Sequence, residues 1–366
     1  MSENKKLWYK VARTIIKAGK MPFPISESVI EFAKTLITED QAKFLLIFKK
    51  PSLNIEQIKS RVDMSDEKIE TMLNTLMDNG IIGGAPSRRT GVFVYTLKPL
   101  YPGMAEYSLM RGNKGEKEKK IANLLEELFK DLREGVQKQY AFINQLKNFP
   151  APARVVPVEK EIEVRDEIVI PAEEVSKIID KYDTIAVAYC YCKQEKDLIN
   201  DPCKLTEKRE NCLLFGKVAA YSIEHDFAKP ISQERAKKIL KESEDSSLVH
   251  KIFHIHMNPE RDIESICSCC KCCCGLFRLY YEGAAPMHTF TSYLAKLNKD
   301  LCKECGICVE KCPMEAIILN ESIPTINENK CIGCGVCSHN CSNDAIKLER
   351  TGWREVFVPP PRIKLN

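Results

Sequence analysis

No apolar run in this chain approaches the roughly 20 residues that a membrane-spanning helix needs. The opening MSENKKLWYKVARTIIKAGKMPFP lacks both a long apolar centre and a small-residue cleavage site. These absences imply a cytoplasmic protein without a membrane span. Net charge is also scarce: 55 Lys and Arg against 51 Asp and Glu leave +4, which by itself proposes neither nucleic acid nor an anionic membrane as partner. No GxxxxGK[ST] occurs and no GxGxxG follows an expected strand, so nucleotide cofactors are not signalled. Neither a Ser-His-Asp pattern nor a pair of catalytic carboxylates stands out, so the sequence signals no catalytic residue.

Cysteine, by contrast, is abundant, with 18 residues in 366. In a small secreted chain that number would suggest disulfides. Here the residues fall in tight C-x-x-C and C-C groups with no secretory signal, which points to metal and to reducing, anaerobic surroundings where thiolates survive. A hydrophobic fraction of 44% and a charged fraction of 29% are those of an ordinary globular protein. The length accommodates two to four domains.

The stretch from Leu301 to Ile346 organises the chain. It holds Cys302, Cys305, Cys308 and Cys312, then Cys331, Cys334, Cys337 and Cys341, so that C-x-x-C-x-x-C-x-x-x-C is written twice. Three cysteines at i, i+3 and i+6 wrap a tight loop whose thiolates converge on one iron–sulfur cube, while the fourth reaches a second cube. This predicts two [4Fe–4S] clusters with crossed ligation. Cys302, Cys305, Cys308 and Cys341 hold the first; Cys331, Cys334, Cys337 and Cys312 hold the second. Four-thiolate zinc also uses C-x-x-C pairs, but it needs neither a third cysteine three residues on nor a duplication. The stretch resembles the bacterial two-cluster ferredoxins: Cys312-Pro313 matches their C-P ending, Gly306, Gly333 and Gly335 stand where loops fold tightly, and Ala316-Ile317 and Ala345-Ile346 repeat after each motif. Ser342 departs from the usual proline, which leaves the ligands intact and bears on that cluster's exposure and potential.

The rest of the chain predicts an α+β multidomain protein. Residues 1–39 form an N-terminal helical segment, and residues 40–100 a winged-helix-like module. In that module Asp40 to Phe48 is a short helix, Asn54 caps a second, and Ser65 caps a third over Asp66–Asn79 with Ile69, Met72, Leu73 and Leu76 on one face. Ile81-Ile82, a turn at Gly83-Gly84-Ala85-Pro86 and a strand from Val92 to Leu97 make the wing. The helix offered to a major groove carries Asp66, Glu67, Glu70 and Asp78 against Lys68, and only Arg88 and Arg89 in the wing suit phosphate. The charges therefore favour a docking module over a DNA reader. Residues 101–150 are a helical connector striped by Ile121, Leu124, Leu125, Leu128, Leu132 and Val136. Residues 286–350 form the two-cluster ferredoxin domain, and residues 351–366 a proline-rich tail that packs on a surface or contacts a partner.

Residues 151–285 form a cysteine-rich α/β domain. Val155–Val158 and Ile168–Ile170 read as strands, Pro171 opens a helix through Val175, Ile178 and Ile179, and Ile185–Ala188 is a buried strand. That strand ends at Cys190-Tyr191-Cys192, so the two cysteines share a face and, with Cys203 and Cys212, supply four thiolates, enough for a third cluster or a zinc site. Cys203 and Cys212 follow, the latter opening a helix, and Ser232 caps Gln233–Lys241. Leu248–Met257 is extended and puts His250, His254 and His256 on one face, for ligation or, more simply, for solvent. The run Cys267, Cys269, Cys270, Cys272, Cys273 and Cys274 closes the domain. Adjacent cysteines point apart, so six cannot serve one cube. The ten central cysteines either form two separate groups or interleave, holding one or two further iron–sulfur clusters or, alternatively, zinc.

This region resembles a widespread domain in iron–sulfur proteins of anaerobic bacteria and archaea, through CYCKQ, CLLFG at Cys212–Gly216, ISQERAKKIL, Leu248 to His250 and CSCCKCCCG. Cys273-Cys274-Gly275 is similar to the CCG motif of heterodisulfide-reductase subunits. The resemblance implies redox chemistry with no named substrate. The leading expectation is an electron-transfer protein relaying to or from a redox partner protein. The alternatives are an oxidoreductase with a substrate site among the central cysteines and a redox-sensing DNA regulator.

Overall fold

The computed structural model describes residues 2–19, 23–87, 89–149, 151–161, 174–254 and 262–365. Arg88, the expected strand at Ile168–Ile170, Pro171 and His256 lie outside the described residues. Helices and strands are mixed, and the chain divides into two compact units. Among the described residues no helix is long and apolar enough to cross a membrane.

One unit comprises residues 1–135, 189–202 and 221–229. Its first helix, Glu3–Ala18, is capped by Ser2 and buries Trp8, Val11, Ala12 and Ile15, which recur at i, i+3, i+4 and i+7. Thr38 and Asn54 start Glu39–Leu45 and Ile55–Lys59 with reciprocal capping boxes to Gln41 and Gln57, each stabilising its helix by about 1 kcal/mol. Asp66–Asp78 buries Ile69, Leu73 and Leu76, and Ser65 stands at its N-cap position without a side-chain bond.

Three antiparallel strands follow the order Ser52–Asn54, Phe93–Leu97, Ile82–Pro86. The turn predicted at Gly83 to Pro86 is therefore a strand. The Phe93 ring of the neighbouring strand lies over Gly84, 2.8 Å from where a Cβ would stand. Past the end of this strand the Ser87 amide donates to the Val92 carbonyl at 2.8 Å.

The second unit comprises residues 136–188, 203–220 and 230–366. Its framework is an eight-stranded sheet in the order Ile346–Val358, Met287–Leu297, Ala153–Val156, Val249–His254, Ile263–Cys269, Glu210–Phe215, Ile185–Tyr189, Lys229–Pro230. Met287–Leu297 runs parallel to Ala153–Val156 and antiparallel to Ile346–Val358. Because strand side chains alternate, the sheet has two different faces. Val156, Leu213, Phe215, Ile252 and Ile266 pack with helices Val175–Ile179 and Gln233–Asp245. Val155, Val249 and Cys269 pack with Phe277, Tyr293 and the cysteine-bearing segment between the last two strands. The expected boundary at residue 286 thus falls inside one sheet, since the strands flanking the duplicated motif extend the central sheet.

Three local expectations change with this pairing. Cys212 does not open a helix: it lies in Glu210–Phe215, opposite Cys267 in an antiparallel ladder, and the helix begins at Gly216, whose φ of +55° allows the turn. Cys190 is not a strand residue; the strand ends at Tyr189 and Cys190 is the N-cap of helix Tyr191–Leu198. The histidines do not all face solvent, because His250 is 1% exposed. The proline-rich tail packs within its own unit: Gln137 donates to the carbonyls of Gly283 (2.6 Å) and Pro361 (3.1 Å) and accepts from the Ile363 amide, and the Tyr140 hydroxyl donates to the Pro360 carbonyl.

Candidate metal centres

The duplicated motif folds as two like halves. Gly306 and Gly335, at φ +74° and +77°, are the N-caps of the short helices Ile307–Lys311 and Val336–His339. The left-handed turn before each helix brings the first two cysteines of each motif back beside the third, which the helix carries. Strands Ile317–Asn320 and Ile323–Ile326 form a hairpin between the halves.

Each half bounds a cavity. One is lined by Cys302, Cys305, Cys308 and Cys341, with Leu297, Ile307, Pro324, Ala345 and Ile346. The other is lined by Cys312, Cys331, Cys334 and Cys337, with Ala295, Met314, Ala316, Ile317, Ile326 and Ile332. Both cavities are partly open to solvent, and the duplicated sequence builds two chambers of like construction. Each chamber takes three cysteines from one motif and the last from the other. Four thiols and otherwise largely apolar walls are the donor set that an iron–sulfur cube requires, because soft sulfur ligands bind iron while hydrocarbon excludes water.

The two chambers differ in exposure. Cys305 is exposed and Cys302 and Cys341 are partly so, whereas Cys331, Cys334 and Cys337 are all 8% exposed. Burial pushes the thiols of Cys334 and Cys337 well above the usual range, and burial also raises Cys308 and Cys312. Thiols held protonated in this way become thiolates only when a cation replaces the proton. Backbone amides already address two sulfurs: Glu304 N–H donates to Cys302 Sγ at 3.4 Å and Ala316 N–H to Cys312 Sγ at 3.3 Å. Such bonds favour added negative charge on the sulfur.

The central cysteines separate into several environments. Cys203, Cys270, Cys272 and Cys273 converge, with their four sulfurs all within 4.8 Å of one another. Cys203 comes from the loop after helix Tyr191–Leu198; the others come from the turn between strand Ile263–Cys269 and helix Gly275–Tyr281. The two groups therefore interleave, and the adjacent Cys272 and Cys273 serve one site because a tight turn, unlike a strand, need not point neighbours apart. The Cys270 thiol, followed by those of Cys272 and Cys273 and the Leu205 amide, holds Cys203 far below the usual thiol range. Cys272 is lowered to about 6, with Cys203 opposing and the thiols of Cys270 and Cys273 and the Lys204 amide favouring the thiolate.

The remaining six do not join this quartet. Cys212 and Cys267 face each other across the ladder with sulfurs 3.9 Å apart. Cys269 and Cys274 are buried in the core that also holds the duplicated motif. Cys190 and Cys192 belong to the first unit. His250 is also absent from the quartet: its Nδ1 is 3.2 Å from Ser268 Oγ and its Nε2 3.5 Å from Glu244 Oε1. Burial pushes the Glu244 carboxyl up, yet the His250 contacts outweigh it and hold the group below the usual carboxylate range. His250 is thus a core histidine held between Ser268 and Glu244, with no hydrogen bond at ideal geometry to its Nε2; His254 is partly buried.

Several positioning residues carry no local signal in the sequence. Arg354 donates to the carbonyls of Glu328 at 3.0 Å and Cys331 at 2.5 Å, fixing the start of the second motif from the last strand. The Tyr281 hydroxyl donates to the Pro313 carbonyl at 2.8 Å, and Lys271, inside the central cysteine run, pairs with Glu315. These bonds link residues 23 to 44 positions apart, which only the folded sheet brings together.

Residues 294–349 match the family described as a 4Fe-4S dicluster domain. No curated protein and no solved structure matches the chain.

Proposed function

We propose that this chain is an iron–sulfur electron-transfer protein relaying electrons to or from a redox partner protein. Cys302, Cys305, Cys308 and Cys341 hold one [4Fe–4S] cluster; Cys331, Cys334, Cys337 and Cys312 hold the other. The observation that carries the reading is the pair of four-cysteine chambers inside a 4Fe-4S dicluster domain. When bound, such clusters supply one-electron transfer without proton chemistry.

The chain's residues differentiate the two sites. Ala295, Met314, Ile317 and Ile332 keep water from the buried chamber. The other chamber reaches the surface at Cys305, where Leu301 and Ile307 are 44% and 37% exposed. Leu319, 47% exposed, reaches to within 3.9 Å of the Cβ position of Gly306. Exposed apolar side chains beside an exposed ligand suit a transient redox partner, which needs close approach and rapid release.

The helical module at residues 40–100 has the element order of a winged helix, and we assign it to protein docking. Its helix Asp66–Asp78 has acidic residues in the first turn and no basic residue in the last. That charge opposes a phosphate backbone. Strong gel retardation of mixed DNA fragments that weakens with salt would replace docking with nucleic-acid binding.

The test is anaerobic purification followed by reduction with dithionite. Reversible bleaching of the visible absorption, with about eight iron and eight acid-labile sulfides in bleachable clusters, is expected. Protein that carries iron but does not bleach or reoxidise would remove the electron-transfer reading.

A further inference from the structure

We propose that Cys203, Cys270, Cys272 and Cys273 form a closed site for one tetrahedral, thiolate-bound divalent ion, zinc or iron, and do not hold a third cube. This site lies outside the dicluster domain and is independent of the electron-transfer reading above.

The argument is one of scale. Cys203 Sγ is 3.7 Å from Cys270 Sγ and 3.9 Å from Cys272 Sγ, and Cys272 and Cys273 are 3.7 Å apart. A single ion with four sulfurs at about 2.3 Å places those sulfurs at the corners of a tetrahedron with edges of about 3.8 Å. A [4Fe–4S] cube is larger: each cysteine binds a different iron, and the outer sulfurs stand on the order of 6 Å apart. The observed spacing is that of one ion.

The same molecule supplies the control. Among the described residues, this is the one set of cysteine, histidine and acidic ligand atoms gathered within 4.8 Å. The dicluster cysteines instead stand back around their two chambers. The chain therefore builds two different kinds of cysteine site. Four thiolates in tetrahedral array select zinc or a single iron, because soft sulfur suits both and neither needs another geometry.

Supporting groups also fit a four-thiolate site. The amides of Leu205 and Lys204 face the sulfurs of Cys203 and Cys272, supplying the outer hydrogen bonds that hold thiolate ligands in place. With all four positions taken by protein, no coordination position is left for substrate. The site is a staple: it ties the loop at Cys203 to the turn at 270–273, and binding there contributes directly to folding free energy.

The experiment is elemental analysis of anaerobically purified full-length protein, with X-ray absorption at the zinc and iron edges. Expected are about eight iron, eight sulfides and one zinc, with zinc surrounded by four sulfurs at about 2.3 Å and no metal neighbour. About nine iron on eight sulfides would equally support the single-ion geometry and name iron as the occupant. About twelve iron with twelve sulfides and no zinc would overturn the proposal, as would about eight iron with neither zinc nor a ninth iron. Cys272→Ser should lose the single ion and keep the iron and sulfide of the dicluster domain, while Cys212→Ser should keep all of them. If Cys272→Ser fails to fold, the wild-type metal count and absorption spectrum decide alone.

Discussion

In the first half of the duplicated motif Glu304 sits at φ +56°; at the matching place in the second half Gly333 sits at φ +62°. The two backbones are alike and their surroundings are not. Glu304 points into solvent, whereas a Cβ on Gly333 would lie 2.3 Å from the Tyr293 carbonyl oxygen. The first half keeps Cys305 exposed; the second is pressed against strand Met287–Leu297 and clamped by Arg354. Duplication therefore fixes the local fold of both halves, and packing against the sheet makes one half a surface and the other a core.

The largest test of this difference exchanges the two residues. Gly333→Glu, which copies the first half into the second, should cost more than about 4 kcal/mol and abolish the buried site, since backbone cannot move aside. Iron analysis should then show a loss of about half the dicluster metal. Retention of full iron by this variant would show that the halves are not distinguished by packing.

A smaller effect is expected from single ligands. Cys334→Ser leaves a hydroxyl in the buried chamber, with a penalty of about 1–3 kcal/mol beyond the lost metal. Cys305→Ser leaves one in solvent and should cost less than about 1 kcal/mol beyond the same loss. Denaturant unfolding of the two variants under anaerobic conditions compares them directly. In redox titrations the exposed half should also show the less negative potential, because water stabilises the added electron and the buried half excludes it.

The halves should separate with pH as well. Burial raises Cys334 and Cys337, so in the metal-free protein the folded state keeps protons that the unfolded chain releases near pH 8.5. Protons bound in the folded state exceed those in the unfolded state above that pH, so metal-free stability should fall as pH rises through and beyond it. For the same reason metal must displace protons at the buried site, and reconstitution at limiting iron should fail there first as pH is lowered. Filling of both halves at the same pH would count against the difference in burial.

The smallest change is the reverse exchange. Glu304→Gly relieves a left-handed backbone position at a solvent-facing site and should alter stability by less than about 1 kcal/mol, with iron unchanged. A large loss would mean that Glu304 makes a contact the exposed loop does not show.

How much of this was legible varied along the chain. The eight dicluster cysteines were readable because their spacing of three and four residues is itself the geometry of the loop. Asn54 and Ser232 were readable as caps because capping is settled within one turn. Cys212 was misread as a helix start because ENCLLF has no clear period of two, and its strand exists through pairing with Ile263–Cys269. The central quartet was not separable from the other central cysteines: Cys203 is 67 residues from Cys270, and nothing local says which thiols a turn will gather.

The duplicated cysteine motif, its two tight loops and the second field of thiols are written in the chain itself, because they depend on contacts within a few residues. Which half is buried, which four central sulfurs meet, and at what distance follow from the folded sheet. Those outcomes depend on strand order and on close approach between segments tens to hundreds of residues apart, where packing energy outweighs local preference.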